Sequence, residues 1–219
     1  MKEYIPVLRD SKLFAGLGDK EISAILSCLG AGFRSYGKGE YVLHQGERLS
    51  DLLVLLKGSL HIRKDDHWGN RSILGHIAAG EIFGAAWAAP DSGPLLNDVV
   101  AVEDSTVLFV DVNRVLTTCS SACPFHTRVV RNLFYAVSER NRNLVRKLDH
   151  MSRRTTREKL ISYLSEEAMK QDSAYITIPF NRQQLADYLS VDRSAMSNEL
   201  CKMRDEGLLE FEKNRFRLR

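Results

Sequence analysis

The chain has 219 residues, 44% apolar and 27% charged, with a formal net charge of +3. That is enough for one large or two modest domains with a real core. No apolar run reaches bilayer length and the start, Met1-Lys-Glu-Tyr-Ile-Pro6, has no apolar signal segment, so a cytoplasmic protein with no membrane contact is expected. The four cysteines (28, 119, 123, 201) lack zinc-finger spacing, and in a reducing cytoplasm they should be thiols; no metal is expected. The charge is unevenly placed: residues 1–123 hold 12 Lys and Arg against 15 Asp and Glu, residues 124–152 hold 6 against 2, and residues 153–219 hold 13 against 11.

Of 14 glycines, 13 fall between residues 16 and 93 and the last is Gly207, so a turn-rich β region should give way to a helical one. Residues 11–31 read as short helices. The run from Lys20 to Leu29 repeats apolar residues at three and four, with Cys28 on that apolar face as a core thiol. From Phe33 to Val112 come short alternating runs, among them Tyr41-Val-Leu-His44, Leu52-Leu-Val-Leu-Leu56 and Thr106-Val-Leu-Phe-Val110, at about ten-residue spacing, which suggests a sandwich or barrel.

Phe125 to Met151 is one long helical candidate opened by Pro124. Val130, Leu133, Val137, Leu144 and Leu148, with Met151, form a seam, interrupted where Arg140 stands at a position suited to an apolar residue. A helix of this length with one apolar stripe usually buries it on a partner; a second copy of the chain in parallel is favoured here, with packing of part of the same face on the β domain as the alternative. Asp149 to Ser152 is expected as a hinge. Arg157 to Met169 is the next helix, and Tyr175 to Pro179 a short strand.

Two short helical patterns follow. Leu185, Ala186 and Leu189 make one stripe; Ala195, Met196, Leu200 and Met203 make another, after the N-cap residue Asp192 and before the helix-ending Gly207. Together they predict a helix-turn-helix. The outer face of the second helix carries Arg193, Ser194, Ser197 and Asn198, of which Arg can pair with guanine and Asn with adenine in the major groove. Two alternating runs joined at Lys213-Asn214 then read as a hairpin, the wing of a winged helix, with Arg215, Arg217 and Arg219 on one face suited to phosphate contact.

The order β-barrel, long helix, winged helix resembles the family of the cyclic-AMP receptor protein and the fumarate-nitrate reduction regulator over essentially the whole chain. The motifs that carry the resemblance are Leu13-Phe-Ala-Gly-Leu, Lys38-Gly-Glu-Tyr-Val-Leu-His-Gln-Gly-Glu47, Leu56-Lys-Gly-Ser-Leu-His-Ile, Gly80-Glu-Ile-Phe-Gly84, Arg182-Gln-Gln-Leu-Ala and Arg193-Ser-Ala-Met-Ser-Asn. It implies an α+β chain: a double-stranded β-roll, or cyclic-nucleotide-binding-like jelly roll, over residues 1–123; a dimerisation helix and hinge over 124–151; and a winged helix-turn-helix DNA-binding domain over 152–219. The function implied is that of a homodimeric bacterial transcription regulator on a pseudo-palindromic operator in double-stranded DNA, with RNA polymerase as a further partner. Asn181, Arg182, Gln183 and Arg215 are the expected phosphate contacts.

The departures from the family pattern bear on the effector. Cyclic-AMP binders of the family place a Glu after the glycine matching Gly84, where this chain has Ala85, and an Arg-Ser pair where it has about Leu96 and Asn97. Without that cation a buried phosphate would be unpaired. The expected effector is therefore a small organic molecule other than cyclic AMP, held by Phe83, Gly84, Ala85, Trp87, Leu95, Leu96, Asn97 and Val99, although the same residues would equally make a filled core. Family members also carry Glu at the position of Ser194 and Arg at that of Asn198, so a different half-site is expected. Two alternatives stand beside this reading: a thiol redox sensor using Cys119 and Cys123, and a ligand-binding module whose winged helix meets protein. No catalytic constellation has convincing spacing, so no enzyme is expected.

Overall fold

The computed structural model describes residues 2–69, 71–89, 91–117 and 124–219. Cys119 and Cys123, expected as a possible redox pair, lie outside the described residues. The chain divides into two compact units, residues 1–64 with 74–141, and residues 65–73 with 142–219.

The first unit opens with helix α1 (Ile5–Asp10), which carries Pro6 in its first turn, and α2 (Asp19–Cys28). Strands β1 (Gly32–Tyr36), β8 (Ser105–Asp111), β3 (Asp51–Lys57) and β6 (Ile82–Phe83) form one four-stranded sheet in that order; β2 (Tyr41–Leu43), β7 (Asp98–Ala101), β4 (Ser59–Asp65) and β5 (Arg71–Ala78) form the other. Two short helices, α3 (Ala85–Ala88) and α4 (Val112–Leu116), follow β6 and β8.

Strand β3 explains the unbroken run Leu52-Leu-Val-Leu-Leu56. Leu52, Val54 and Leu56 enter a core built with α1, α2 and the start of the long helix; Leu53 and Leu55, on the opposite face, enter the core inside the roll with Val99, Phe83 and Val107. Successive side chains point to opposite faces, so a strand between two cores needs apolar residues at every position. The strand ends at Gly58, whose φ of +94° and whose closeness to Ser105 leave no room for a side chain.

Cys28 does not join the apolar face of α2 as expected: it is exposed, because Ile22, Ile25, Leu26 and Leu29 already fill the inward side. Within the roll, His61 on β4 is 6% exposed and meets the His76 ring edge-on at a centroid distance of 5.7 Å. Burial first, then the charges of His76 and Arg63, lower its pKa from 6.5 to about 4. The folded form therefore stays neutral while the unfolded chain takes up a proton, so this contribution is whole above pH 6.5 and fades as pH falls toward 4. Urea unfolding should show a loss of about 2 kcal/mol between pH 7 and pH 5 that His61→Gln largely removes; an unchanged pH slope in the variant would rule His61 out as the source.

Helix α5 (Pro124–Ser152) is continuous through residues 149–152, expected as a hinge, which form its last turn. In the first unit its inward face holds Val129 and Leu133, and Asn132 donates to the carbonyls of Leu13 and Ala15, each at 3.0 Å.

The second unit contains α6 (Thr156–Gln171), β9 (Tyr175–Thr177), α7 (Arg182–Leu189), α8 (Arg193–Asp205), β10 (Leu209–Glu212) and β11 (Arg215–Leu218), with the strands in the order β10-β11-β9. Its core joins Leu160, Tyr163 and Leu164 of α6 to Leu185 and Leu189 of α7, Met196, Leu200 and Met203 of α8, and Phe216 of β11; Ile73, from the β4–β5 tip, is buried in the same cluster. Ala195, expected in the inward stripe of α8, is instead exposed, since it lies a residue ahead of the Met196–Leu200–Met203 line.

Candidate nucleic-acid interface

Both helices of the helix-turn-helix begin on side-chain caps. Asn181 accepts from the Gln184 amide at 2.9 Å while Gln184 returns a bond from the Asn181 amide at 2.8 Å, a reciprocal box that fixes the start of α7. Ser190 then takes a left-handed φ of +52° and ends α7 in one residue. Asp192 accepts from the Ala195 amide at 2.7 Å and starts α8. This turn projects the first residues of α8 outward: Arg193, Ser194 and Asn198 are exposed, and Ser197 is half-buried. No apolar residue other than Ala195 interrupts that face.

The base of α8 is braced to α6. Arg157 bonds Glu199 at 3.3 Å and Glu206 at 2.9 Å, which braces the helix in its C-terminal half, away from the exposed Arg193 and Ser194. On the wing, Phe211 pairs with Phe216 in register across β10 and β11. Arg217 lies over the Tyr175 ring at 5.0 Å and bridges to Glu210 at 3.5 Å, and Arg219 bonds the same carboxylate. Arg215 is exposed and makes no ion pair among the described residues.

The four residues expected on phosphate differ in setting. Asn181 uses its side chain in the cap, and exposed Gln183 donates to Asp187 at 2.8 Å. Arg182 is half-buried, its guanidinium 4.5 Å from the Phe211 ring centre and 4.9 Å from that of Phe216, and burial lowers its pKa. Its stacking ties α7 to the wing, a packing role that sequence alone does not suggest.

A buried cluster behind the helix-turn-helix was also missed from the sequence. His150, 3% exposed, shares a hydrogen bond of 2.7 Å between Nδ1 and the Ser162 hydroxyl and approaches Glu166 through Nε2 at 3.0 Å; burial, the largest influence, lowers its pKa. Lys147 donates to the Ile73 carbonyl and lies 4.3 Å from the Tyr188 ring centre. Spacing could have found these two, since Lys147 and His150 stand one turn apart along one side of the exposed stripe of α5.

In the β-roll, the eight residues expected around an effector divide between the inner core, the core shared with the N-terminal helices, and the surface. Phe83, Leu95 and Val99 are buried in the inner core, with Trp87 packed against it. Gly84 takes a left-handed φ of +80° at the start of α3, where a Cβ would lie 2.7 Å from Leu49 and Leu53. Ala85 lies half-buried against the other core, Asn97 is half-buried, and Leu96 is 55% exposed. An open cavity of about 440 Å³ lies elsewhere in the unit, lined among others by Arg48, Ser50, Ala88, Ser92 and Asn113.

Of the five expected seam residues on α5, Val130, Val137, Leu144 and Leu148 are 36–66% exposed. Leu133 is turned the other way, 9% exposed in the core of the first unit, and the exposed aromatic beside it is Phe134.

A two-layered β-roll and a winged helix-turn-helix on one chain define the architecture of a transcription regulator. Residues 33–122 match the cyclic nucleotide-binding domain and residues 158–219 the Crp-like helix-turn-helix domain. With both domains in this order, the chain belongs to the Crp/Fnr family of regulators. It is similar to FixK2 from Bradyrhizobium japonicum (22% identity, 86% of this chain and 92% of that one, TM-score 0.66). It is also similar to the c-di-GMP responsive global regulator CLP of Xanthomonas campestris (17% identity, 92% and 99%, TM-score 0.73). At these identities the likeness is one of fold. Among curated proteins, the cAMP-dependent protein kinase regulatory subunit of Mycosarcoma maydis is 33% identical over 81 residues, 37% of this chain and 15% of that protein; the chain thus spans about a seventh of that relative. No helix among the described residues is long and apolar enough to cross a membrane.

Proposed function

We propose that the protein is a homodimeric transcription regulator that reads a pseudo-palindromic operator with α8 and answers to a small effector other than cyclic AMP. The observation that carries the DNA reading is the uncovered polar start of α8, with Arg193, Ser194 and Asn198 exposed between a capped turn and a wing that presents Arg215. An N-terminal helix face of this kind is what the major groove admits, and an arginine on the wing supplies position on the backbone without sequence information. Ser197, half-buried, completes the reading face. Of the expected phosphate contacts, Arg215 has the most freedom; Asn181, Arg182 and Gln183 act at the entry of α7, Arg182 chiefly by holding the wing.

The effector reading rests on Ala85, Leu96 and Asn97, which offer neither the carboxylate nor the cation that would hold a ribose and a cyclic phosphate. Cyclic nucleotides remain the competing ligand class, through the matched domain and the kinase-subunit relative. An effector would act by binding one arrangement of the paired α5 helices more tightly than another, shifting the population toward or away from DNA-competent spacing.

Duplex binding at several salt concentrations, on fragments selected from genomic DNA, tests the interface. Arg193→Ala should lose about 1–3 kcal/mol of preference for the selected site, whereas Arg215→Ala should weaken all duplexes alike and lower the salt slope by about 1. If neither variant changes binding, the assignment of α8 and the wing fails. Titrating cyclic AMP into the same complex should leave its affinity unchanged.

A further inference from the structure

Helix α5 has two faces with different occupants. His126, Val129, Leu133, Lys147 and His150 are buried against the rest of their own chain. On the other side Val130, Phe134, Val137, Leu144 and Leu148 are 36–69% exposed. With Asn141 and Met151 these residues are spaced four, three, four, three, four and three apart, an unbroken heptad stripe. In heptad terms Val130, Val137, Leu144 and Met151 take the d position, and Phe134, Asn141 and Leu148 take a. The polar interruption is therefore Asn141, not Arg140, whose guanidinium lies against Gly75 of β5.

We infer that Asn141 fixes both the number of helices and their alignment when two copies of the chain pair along α5. This rests on the homodimer reading above. An asparagine at a costs association free energy but pairs with its own counterpart in a parallel, in-register dimer, and faces aliphatic side chains in any other arrangement. Asn141 is exposed and makes no hydrogen bond within its chain among the described residues, so its amide is available to a partner. The usual alternative device, ion pairing between e and g positions, is absent from this helix. The g row, Leu133, Arg140 and Lys147, is turned onto its own chain, and the e row, Arg131, Ser138, Val145 and Ser152, contains no acid. Val145, 58% exposed, broadens the apolar stripe and makes larger bundles more accessible. Only the amide of Asn141 then discriminates against them.

The test uses the full chain, native and Asn141→Leu, by sedimentation equilibrium over a range of concentrations. Alignment is read in a background with the four cysteines changed to serine and Val137→Cys added, where a disulfide between copies forms readily only when the two d positions face each other. The native sequence should give a dimer that crosslinks fully. Asn141→Leu should associate about tenfold more tightly, form species heavier than the dimer, and crosslink at residue 137 incompletely. A native dimer whose Asn141→Leu form stays strictly dimeric with complete crosslinking overturns the inference and leaves the homodimer standing. A native chain that is monomeric at every concentration overturns the homodimer reading, and the inference with it. Leu144→Ala serves as the folding control: it should weaken the dimer without producing heavier species.

Discussion

Leu200→Ala is expected to destabilise the second unit by about 3 kcal/mol and to remove DNA binding at ordinary growth temperatures. Leu200 is fully buried where α8 meets α6 and α7, in the core cluster that includes Leu160, Leu185 and Met203, so truncation removes buried apolar volume and leaves a cavity there. The loss is a large share of the stability of a unit this small. Its partner measurement is Asn198→Ala, two residues away on the opposite, exposed side of the helix, which should leave the unfolding curve within about 0.5 kcal/mol of native while weakening discrimination among operators. Urea unfolding followed by far-UV circular dichroism, run beside duplex binding, separates the two. If Leu200→Ala keeps native stability, the packing of α8 described above is wrong; if Asn198→Ala unfolds the unit, its outward placement is wrong.

Gly58→Val should be the most damaging single change in the β-roll, at about 3 kcal/mol or more. Two costs combine. The φ of +94° is in the region that a β-branched residue almost never adopts, and a Cβ at this position would lie 2.2 Å from the Ser105 hydroxyl and 2.7 Å from the Asp104 carbonyl. The second contact is with backbone, so no rotamer change relieves it. Gly39→Val offers the comparison: φ is also positive there, at +88°, but nothing lies within 4 Å of a Cβ. Its cost should be the conformational part alone, about 1–2 kcal/mol. Equal thermal unfolding of the two variants would show that the Asp104–Ser105 contact carries no weight.

The winged helix-turn-helix was legible because local rules act there without competition. Asp192 and Gly207 mark helix ends by backbone chemistry, and Leu185, Leu189, Met196, Leu200 and Met203 mark the inward faces by period. The strands of the roll were legible from short apolar runs between glycines, and the family motifs placed them in order. Period alone failed where a helix has two apolar faces. On α5, Leu133 and Phe134 are adjacent and both apolar, and nothing in their identity says that Leu133 turns into the core of the first unit and Phe134 away from it. The effector residues posed a related difficulty, because Phe83, Leu95 and Val99 look the same whether they line a cavity or fill one. Helix α1 escaped notice because six residues are too few to display a period. Arg182 was read by charge, whereas its two aromatic neighbours, some thirty residues downstream, decide what it does.

Strand β3 has one more consequence. In most sheets, sliding a strand by a single residue carries greasy groups into water and is rejected at once on grounds of polarity. From Leu52 to Leu56 no such veto operates, because the slip would merely exchange Leu, Val and Leu for Leu and Leu between two dry compartments. Correct threading of this central strand must therefore be enforced by its ends, at Asp51 opposite Asp111 and at the Gly58 reversal, which makes the punctuation around it more critical during assembly than any side chain within it.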